Sequence, residues 1–460
     1  MSMPIERLRA SGAEAWLVGG AVRDRLLGRS TCDYDVAIRD DPEQIARAVA
    51  RAANGHPFQL SDEFGAWRVV ARDHSWQLDL VPLTGATIEE DLGQRDFTIN
   101  AIAEPLAAGE LIDPCGGRED LAAGRLRMVS SRAFADDPLR ALRLARLGCE
   151  LGFSPEAATM AAARAEADGL ADVAVERVFE ELKRILTAER AFEGLALMDS
   201  LGVTAVVLPE LVALRGVEQS RFHHLDVHDH TLAVLGETIE LQRDPSAAFG
   251  AAAEGLRRLL AEPLANNLSR GDALRFGALF HDIAKPQTRS VTPEGRVTFI
   301  GHDALGARMA AAALTRLRAS DRLVEQVAAL TRHHLRLGFL VHEVPLSRRL
   351  VYRYLHASAP VQADVTVLSV ADRLATRGAG SEAAIAKHLS LAREMVREAL
   401  AWREKPPKPI LRGDEITREL GISPGPRIGE VLAELEEASF AGEVRTREQA
   451  LNRARELLGR

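Results

Sequence analysis

The sequence predicts an α+β chain: a small mixed sheet at the amino terminus, then helices to the end. Over the first 115 or so residues, short apolar runs alternate with polar positions and turn residues, the period-two signature of half-buried strands. From about residue 119 onward Ala, Leu, Arg and Glu recur at helical spacing. Hydrophobic residues make up 47% and charged residues 27% of the 460, a globular composition on a chain long enough for about three domains.

Each element has its own signal. AWLV (15–18) is a short apolar strand, and DYDVAI (33–38) is a second that puts Asp33 and Asp35 on one face. WRVVA (67–71) and WQLDLVPL (76–83), joined by Asp73-His74-Ser75, form an antiparallel hairpin whose second strand turns Asp79 away from Leu78 and Leu80. Asp137-Pro138 opens a helix, Asp as cap and Pro at the first helical position. VERVFEELKRIL (175–186) is amphipathic, residues 284–300 are a polar loop or small hairpin, and REKPPKP (403–409) is a linker.

Composition also excludes. No run reaches the roughly 18 uncharged apolar residues of a membrane span. The amino terminus lacks the apolar core of a secretory signal. Cys32, Cys115 and Cys149 are too scattered for a disulfide framework or a thiolate zinc site. A cytoplasmic chain with no membrane partner is expected, and oligomeric state, a homodimer included, is left open. The formal charge of -8 argues against a broad electrostatic grip on nucleic acid, though not against a local one.

The densest chemistry lies at 17–38, LVGGAVRDRLLGRSTCDYDVAI. A strand ends in Gly19-Gly20 and a helix follows, so bare amides can approach phosphate oxygens. Arg23, one turn on, would grip a triphosphate. Asp33 and Asp35 offer carboxylate oxygens to a hard cation such as Mg²⁺, and Asp79 is a third acid that would help deprotonate an attacking hydroxyl.

GGAVRD followed by DYD resembles the signature of class II tRNA nucleotidyltransferases and bacterial poly(A) polymerases, of the superfamily that includes DNA polymerase beta. DLGQRDFTINAIA (91–103) resembles the family's RRDFTINA block, with Gln94 in place of the first Arg; IDPCGG (112–117) resembles its hinge; DDPLRALRLAR (136–146), with Asp136 for the usual Glu, and ERVFEELKRIL (176–186) resemble its neck motifs. The resemblance implies addition of CCA (or CC) to the tRNA 3′ end from CTP and ATP, with pyrophosphate leaving. By it Gly19, Gly20 and Arg23 hold triphosphate, and Arg95, Asp96 and Asn100 shape the ribose site. Asp137 and Arg140, three apart and so neighbours on a helix face, read the base; Arg143 and Arg146 continue a basic face toward triphosphate or RNA. Only LVPLTGATIEEDLGQ separates Asp79 from Arg95, where many full CCA-adding relatives carry a longer flexible loop tied to the switch from C to A; its shortness resembles CC-adding enzymes. A poly(A) polymerase is the alternative in the same chemistry.

Most of the thirteen histidines fall between 223 and 356, in HHLDVHDHTL, ALFHDIAK, GHDALG and TRHHLRLG, with VADRLATRG beyond. The series resembles the HD phosphohydrolase superfamily. It implies a metal site of His230, His281, Asp282 and Asp372, with His302 and His334 (or His333) as further ligands, for Mn, Ni, Fe or Mg rather than structural zinc. A second, phosphohydrolase activity follows, or, in the alternative from another class, a phosphohydrolase with a vestigial head. The tail, 410–457, looks like the family's C-terminal unit; Gly425, Arg427 and Ile428-Gly429 would meet an RNA phosphate. The expected division is a catalytic head (1–118), a base-reading neck (119–205), an HD body (206–402) and a tRNA-binding tail (403–460).

Overall fold

The computed structural model describes residues 3–61, 65–219, 225–377, 381–423 and 425–459; of the motif residues, His223, His224, Gly378 and Pro424 lie outside them. The chain forms two compact units, Met1–Val207 and Leu208–Arg460.

In the first unit, helix α1 (Met3–Ala10) precedes β1 (Ala15–Val18), α2 (Gly20–Leu26), β2 (Asp33–Ile38) and α3 (Pro42–Ala52). Then come β3 (Gly55–Ser61), β4 (Ala66–Ala71), β5 (Gln77–Pro82), the short α4 (Ile88–Leu92) and β6 (Glu104–Pro105). The six strands make one sheet in the order β3-β4-β5-β2-β1-β6. The hairpin expected from WRVVA and WQLDLVPL is present as antiparallel β4–β5. β2 and β5 pair in parallel, which needs a crossover, and α3 with β3 and β4 supplies it. The register sets Asp35 opposite Asp79 on one side and opposite Val18 on the other.

Alternation drives this sheet. Val36, Val69, Leu78 and Leu80 are fully buried in one cluster with Val49 of α3, each burial contributing about 1.5–3 kcal/mol. The same pleat turns Asp35 and Asp79 to the opposite face.

The sheet is followed by α5 (Gly117–Ala123), α6 (Ala133–Asp136), α7 (Leu139–Leu151), α8 (Ala157–Ala165), α9 (Val175–Thr187) and α10 (Ala191–Leu201). Asp113 opens α5 by accepting the Gly117 and Arg118 amides at 2.7 and 2.9 Å. Gly117 is irreplaceable here, because a Cβ would lie 2.1 Å from the carbonyl oxygen of Thr98. Gly117→Ala is expected to cost about 3 kcal/mol or more, read as an earlier first transition in urea; an unshifted transition would contradict this close approach.

The second unit is helical apart from short strand pairs. Residues 284–300, expected as a loop or small hairpin, contain the antiparallel pair Ser290–Val291 and Val297–Thr298. Helices Val227–Arg243, Arg270–Phe280, Asp321–His333 and Gln362–Ala375 pack together around the histidines. The last three helices, Gly413–Leu420, Pro426–Ala441 and Arg447–Leu458, share a core of their own. Arg349 fastens them to the body through Glu434, Glu437 and Glu443, and the rings of Tyr352, Trp402 and Phe440 pack against one another at tilted angles. Among the described residues no helix is long and apolar enough to cross a membrane.

Candidate active site

The sheet face that carries the acids opens on a cavity of about 390 Å³ lined by Gly19, Gly20, Asp35, Asp91, Gln94, Arg95, Asp96, Asn100, Arg140 and Arg143. Gly19 ends β1 at φ 66°, a left-handed conformation that L side chains rarely adopt. A Cβ there would sit 3.2 Å from both Asp35 Oδ2 and Arg95 Nη1, so a bare backbone is what fits between the acid and the guanidinium.

Asp33 is exposed at the start of β2 and Asp35 is half-buried beside it. Burial, then Asp33, then Asp79 push the Asp35 carboxyl up to about 6, against the pull of Arg95 and Arg143. A carboxylate crowded by two others on one sheet face is relieved by a divalent cation, so the donor set fits one.

Asp79 is more constrained than expected. Arg68, directly across the β4–β5 ladder, donates Nε and Nη2 to its two oxygens at 2.6 Å each. With both oxygens engaged by the fork, the carboxylate is held in a fixed orientation, which suits it to positioning a hydroxyl. The sequence reading missed Arg68; its alternation on β4 with Trp67 and Val69 was the available signal.

Beneath the cavity runs a polar chain. Arg23 donates to Asn100 Oδ1 at 2.8 Å, the Asn100 amide donates to Asp96 Oδ1 at 3.0 Å, and Arg143 reaches Asp96 Oδ2 at 3.3 Å. Burial alone would raise the Asp96 carboxyl, but Arg143, Asn100, the Phe97 amide and Arg140 together hold it below the usual range. Arg23, expected on triphosphate, is buried and spent on Asn100 and Asp24, because its helix face turns inward. Arg146, expected on triphosphate or RNA, is likewise 4% exposed and closed off by Glu150 and Glu181. In the structure both guanidinium groups are taken up by protein partners.

The geometry of the base-reading pair is also corrected. Asp137 precedes α7 in extended backbone, not on a helix face; it accepts the Leu139 amide at 3.2 Å and Arg177 at 2.8 Å. Arg140 faces the cavity and donates to the carbonyls of Ala133 and Gln94 at 3.1 and 2.8 Å. Asp91, not foreseen, is a buried hub: one oxygen accepts the Thr84 amide at 3.1 Å, the other accepts Arg95 at 2.9 and 3.1 Å.

In the second unit His230, His281, Asp282, His302 and His334 converge, with all of them buried. They form two triads that share Asp282: His230 and His281 on one side, His302 and His334 on the other. Asp372 joins at 3.1 Å from His230 Nε2. Nδ1 of His281, His302 and His334 donates to the carbonyls of Ala278, Phe299 and Thr331 at 2.8, 2.6 and 2.7 Å. That fixes each Nε2 toward Asp282, the orientation of a metal ligand and its supporting shell. Burial pushes His334 down to about 4, helped by His281, so its imidazole is neutral and its lone pair available. His333, the other candidate, is half-buried and accepts from Arg336 instead.

Family models described as "Poly A polymerase head domain", "Probable RNA and SrmB- binding site of polymerase A" and "HD domain" match residues 15–127, 152–214 and 227–377. An A-adding tRNA nucleotidyltransferase of Deinococcus radiodurans is 39% identical over 95% of this chain and 94% of its own length. This chain belongs to the tRNA nucleotidyltransferase family. A CC-adding tRNA nucleotidyltransferase of Thermus thermophilus is 37% identical, over 95% of this chain and 92% of its own. The fold of this nucleotidyltransferase is shared with a Thermotoga maritima CCA-adding enzyme solved with tRNA (TM-score 0.60, 20% identity, 99% of this chain and 94% of that one).

Proposed function

We propose that this chain adds nucleotides to the 3′ end of tRNA without a nucleic-acid template, and that it stops after two C residues. The tRNA 3′-hydroxyl attacks the α-phosphate of CTP and pyrophosphate leaves. Asp33 and Asp35 hold Mg²⁺, which supplies charge stabilisation to the attacking and leaving oxygens. Asp79 orients the hydroxyl. Gly19 and Gly20 present amides to the triphosphate, and Arg95, Asp96 and Asn100 form the ribose wall. Arg140 and Arg143 line the base side, with Asp137 at the head of their helix.

The connection between β5 and α4 carries the specificity. Asp91 holds the Thr84 amide, Glu90 accepts the Ala86 amide at 2.6 Å, and Thr87 caps α4. One pocket that reads C and then A must change shape between additions, which needs a mobile element with two arrangements. A connection tied at three successive points offers none. The Thermus relative, named CC-adding, agrees with this reading. The Deinococcus relative, at higher identity and named A-adding, favours a second one, addition of the terminal A alone.

The assay is incorporation of labelled CTP or ATP into tRNA ending at the discriminator base and into tRNA already carrying CC. The expected result is two C residues on the first substrate and no A on the second. A alone on the second selects the other reading, C then A selects complete CCA addition, and repeated A on any RNA selects a poly(A) polymerase. No incorporation at all sinks the proposal.

The HD centre holds a divalent ion, Mn, Ni, Fe or Mg, on His230, His281, Asp282, His302, His334 and Asp372, and hydrolyses phosphoesters as a second activity. The pinned Nδ1 atoms favour that reading. In this four-part arrangement the tail, from Gly425 through Gly429, contacts tRNA phosphate, and the reaction is cytoplasmic.

A further inference from the structure

Asp35 and Asp79 belong to a longer row. Register places Val18, Asp35, Asp79, Arg68 and Phe58 side by side across β1, β2, β5, β4 and β3, and residues directly opposite on paired strands share a face. It is the face of the acids, because Val69, next to Arg68 in the chain, is buried on the other. Strands step about 4.8 Å apart, so the row runs on for about 10 Å beyond Asp79, to Phe58.

The two ends of the row differ. The cavity draws Gly19, Gly20 and Asp35 from the β1–β2 end, where the triphosphate lies in the proposed reaction. Displacement at the α-phosphate is in line, with entering and leaving oxygens on opposite sides, so the attacking strand comes from the β5–β4 end. There Asp79 orients its terminal hydroxyl and Arg68 stands next. Asp79 takes Nε and Nη2 of Arg68, which leaves Nη1 for another acceptor on a side chain 27% exposed. A terminal hydroxyl and the phosphodiester that joins its nucleotide to the strand hang on one ribose, so a group that holds the first leaves the second within a side chain's reach. Phe58, beyond Arg68 on the edge strand, is 39% exposed. A cation followed by an open ring is what a single strand needs, a charge for its phosphate and a face for its base.

We propose that the β4–β3 end of the sheet holds the 3′ end of the tRNA: Arg68 takes the phosphodiester between the last two nucleotides, and Phe58 seats the base of the last but one. The inference rests on the nucleotidyl-transfer reading and concerns how the RNA is held, not the incoming nucleotide.

The test uses the full chain and acceptor minihelices one nucleotide short of its final addition, so that the last but one base is unpaired. KM for RNA, KM for the incoming nucleotide and kcat are measured on three RNAs: an unmodified one, one with a neutral methylphosphonate at the last linkage, and one abasic at the last but one position. All three carry 2′-O-methyl ribose before that linkage, which keeps the methylphosphonate intact. With the native chain each change is expected to raise the KM for RNA about tenfold and to leave the KM for nucleotide unchanged. R68Q should abolish the linkage effect and keep the abasic one; F58S should do the reverse. R68K should retain part of the linkage effect, because it keeps the charge, with kcat still low, because it lacks the fork that holds Asp79. The ratio of modified to unmodified RNA is taken within each variant, so a loss of folded protein does not imitate these results. Either effect surviving its variant in full, or a rise in the KM for nucleotide in place of RNA, overturns the proposal. A native chain active on all three RNAs and indifferent to both changes overturns this inference alone; one that incorporates nothing overturns the transfer reading and this inference with it.

Discussion

Asp35→Asn is expected to abolish nucleotide incorporation, by about a thousandfold or more, while leaving the metal-free chain at least as stable as the native one at pH 8. The loss corresponds to roughly 4 kcal/mol, the scale of charge stabilisation that a cation held by these acids supplies. The stability prediction has the opposite sign because of the sheet. Burial, Asp33 and Asp79 raise the Asp35 carboxyl from 3.8 to about 6, so the folded chain holds this proton more tightly than the unfolded chain does. The ionised carboxylate is therefore a cost to folding at any pH above 6. That cost fades as pH falls from 6 toward 4 and is gone below. Asparagine keeps the shape and removes the charge. Metal-free melts should show the variant at or above native at pH 8 and the difference closing by pH 4. Added Mg²⁺ should raise the native midpoint and not the variant's. A variant that loses activity and also melts early at pH 8 would make Asp35 a structural residue. Hydrolysis at the HD centre should survive Asp35→Asn; joint loss would refute two separate sites.

What was legible in the sequence follows from what is local. β1, β2, β4 and β5 announce themselves by alternation, and Gly19-Gly20 with the two strand-borne acids gives the chemistry of the head. The adjacency of Asp35 and Asp79 was not legible, because it depends on a parallel pairing that α3, β3 and β4 must first make possible. Arg23 and Arg146 show the other limit. Residue type marks an arginine as a phosphate candidate, but the helix face it occupies decides, and both faces turn inward. For Arg146 a signal did exist: Glu150, one turn later on the same helix, is its partner. The helix face expected to join Asp137 to Arg140 is absent for a different reason. Spacing of three implies a shared face only if both residues are helical, and the proline after Asp137 delays the start of α7 until Leu139. The HD residues converge as a set because His230, His302 and Asp372 lie on helices and His281, Asp282 and His334 directly follow helix ends, so the packing of those helices places them. That Asp282 belongs to two triads at once required the fold.

That double membership makes Asp282 the most consequential residue of the second unit. Asp282→Ala is expected to cost about 3–5 kcal/mol, the usual result of stranding one member of a buried charge pair, and, on the proposed metal reading of this centre, to abolish divalent-ion binding. Lys285 Nζ lies 2.6 Å from Asp282 Oδ2, and His281 and His302 reach its two oxygens at 3.0 and 3.3 Å. Burial would raise this carboxyl, but His281 and Lys285 hold it well below the usual range, so it is ionised in the fold at neutral pH. Its stabilisation is present above the unfolded carboxylate range and is lost only at strongly acid pH. Without it the Lys285 ammonium, 7% exposed, keeps Gln219 and the Phe299 face but no counter-charge. The two consequences come apart in a second variant. Asp282→Ala combined with Lys285→Met removes the stranded charge, so chemical denaturation should recover most of the lost stability. Metal content after dialysis should stay near zero, because the carboxylate that links the two histidine pairs is still missing. Recovery of both would mean that the ion sits elsewhere; recovery of neither would mean that the four histidines need Asp282 to hold their places.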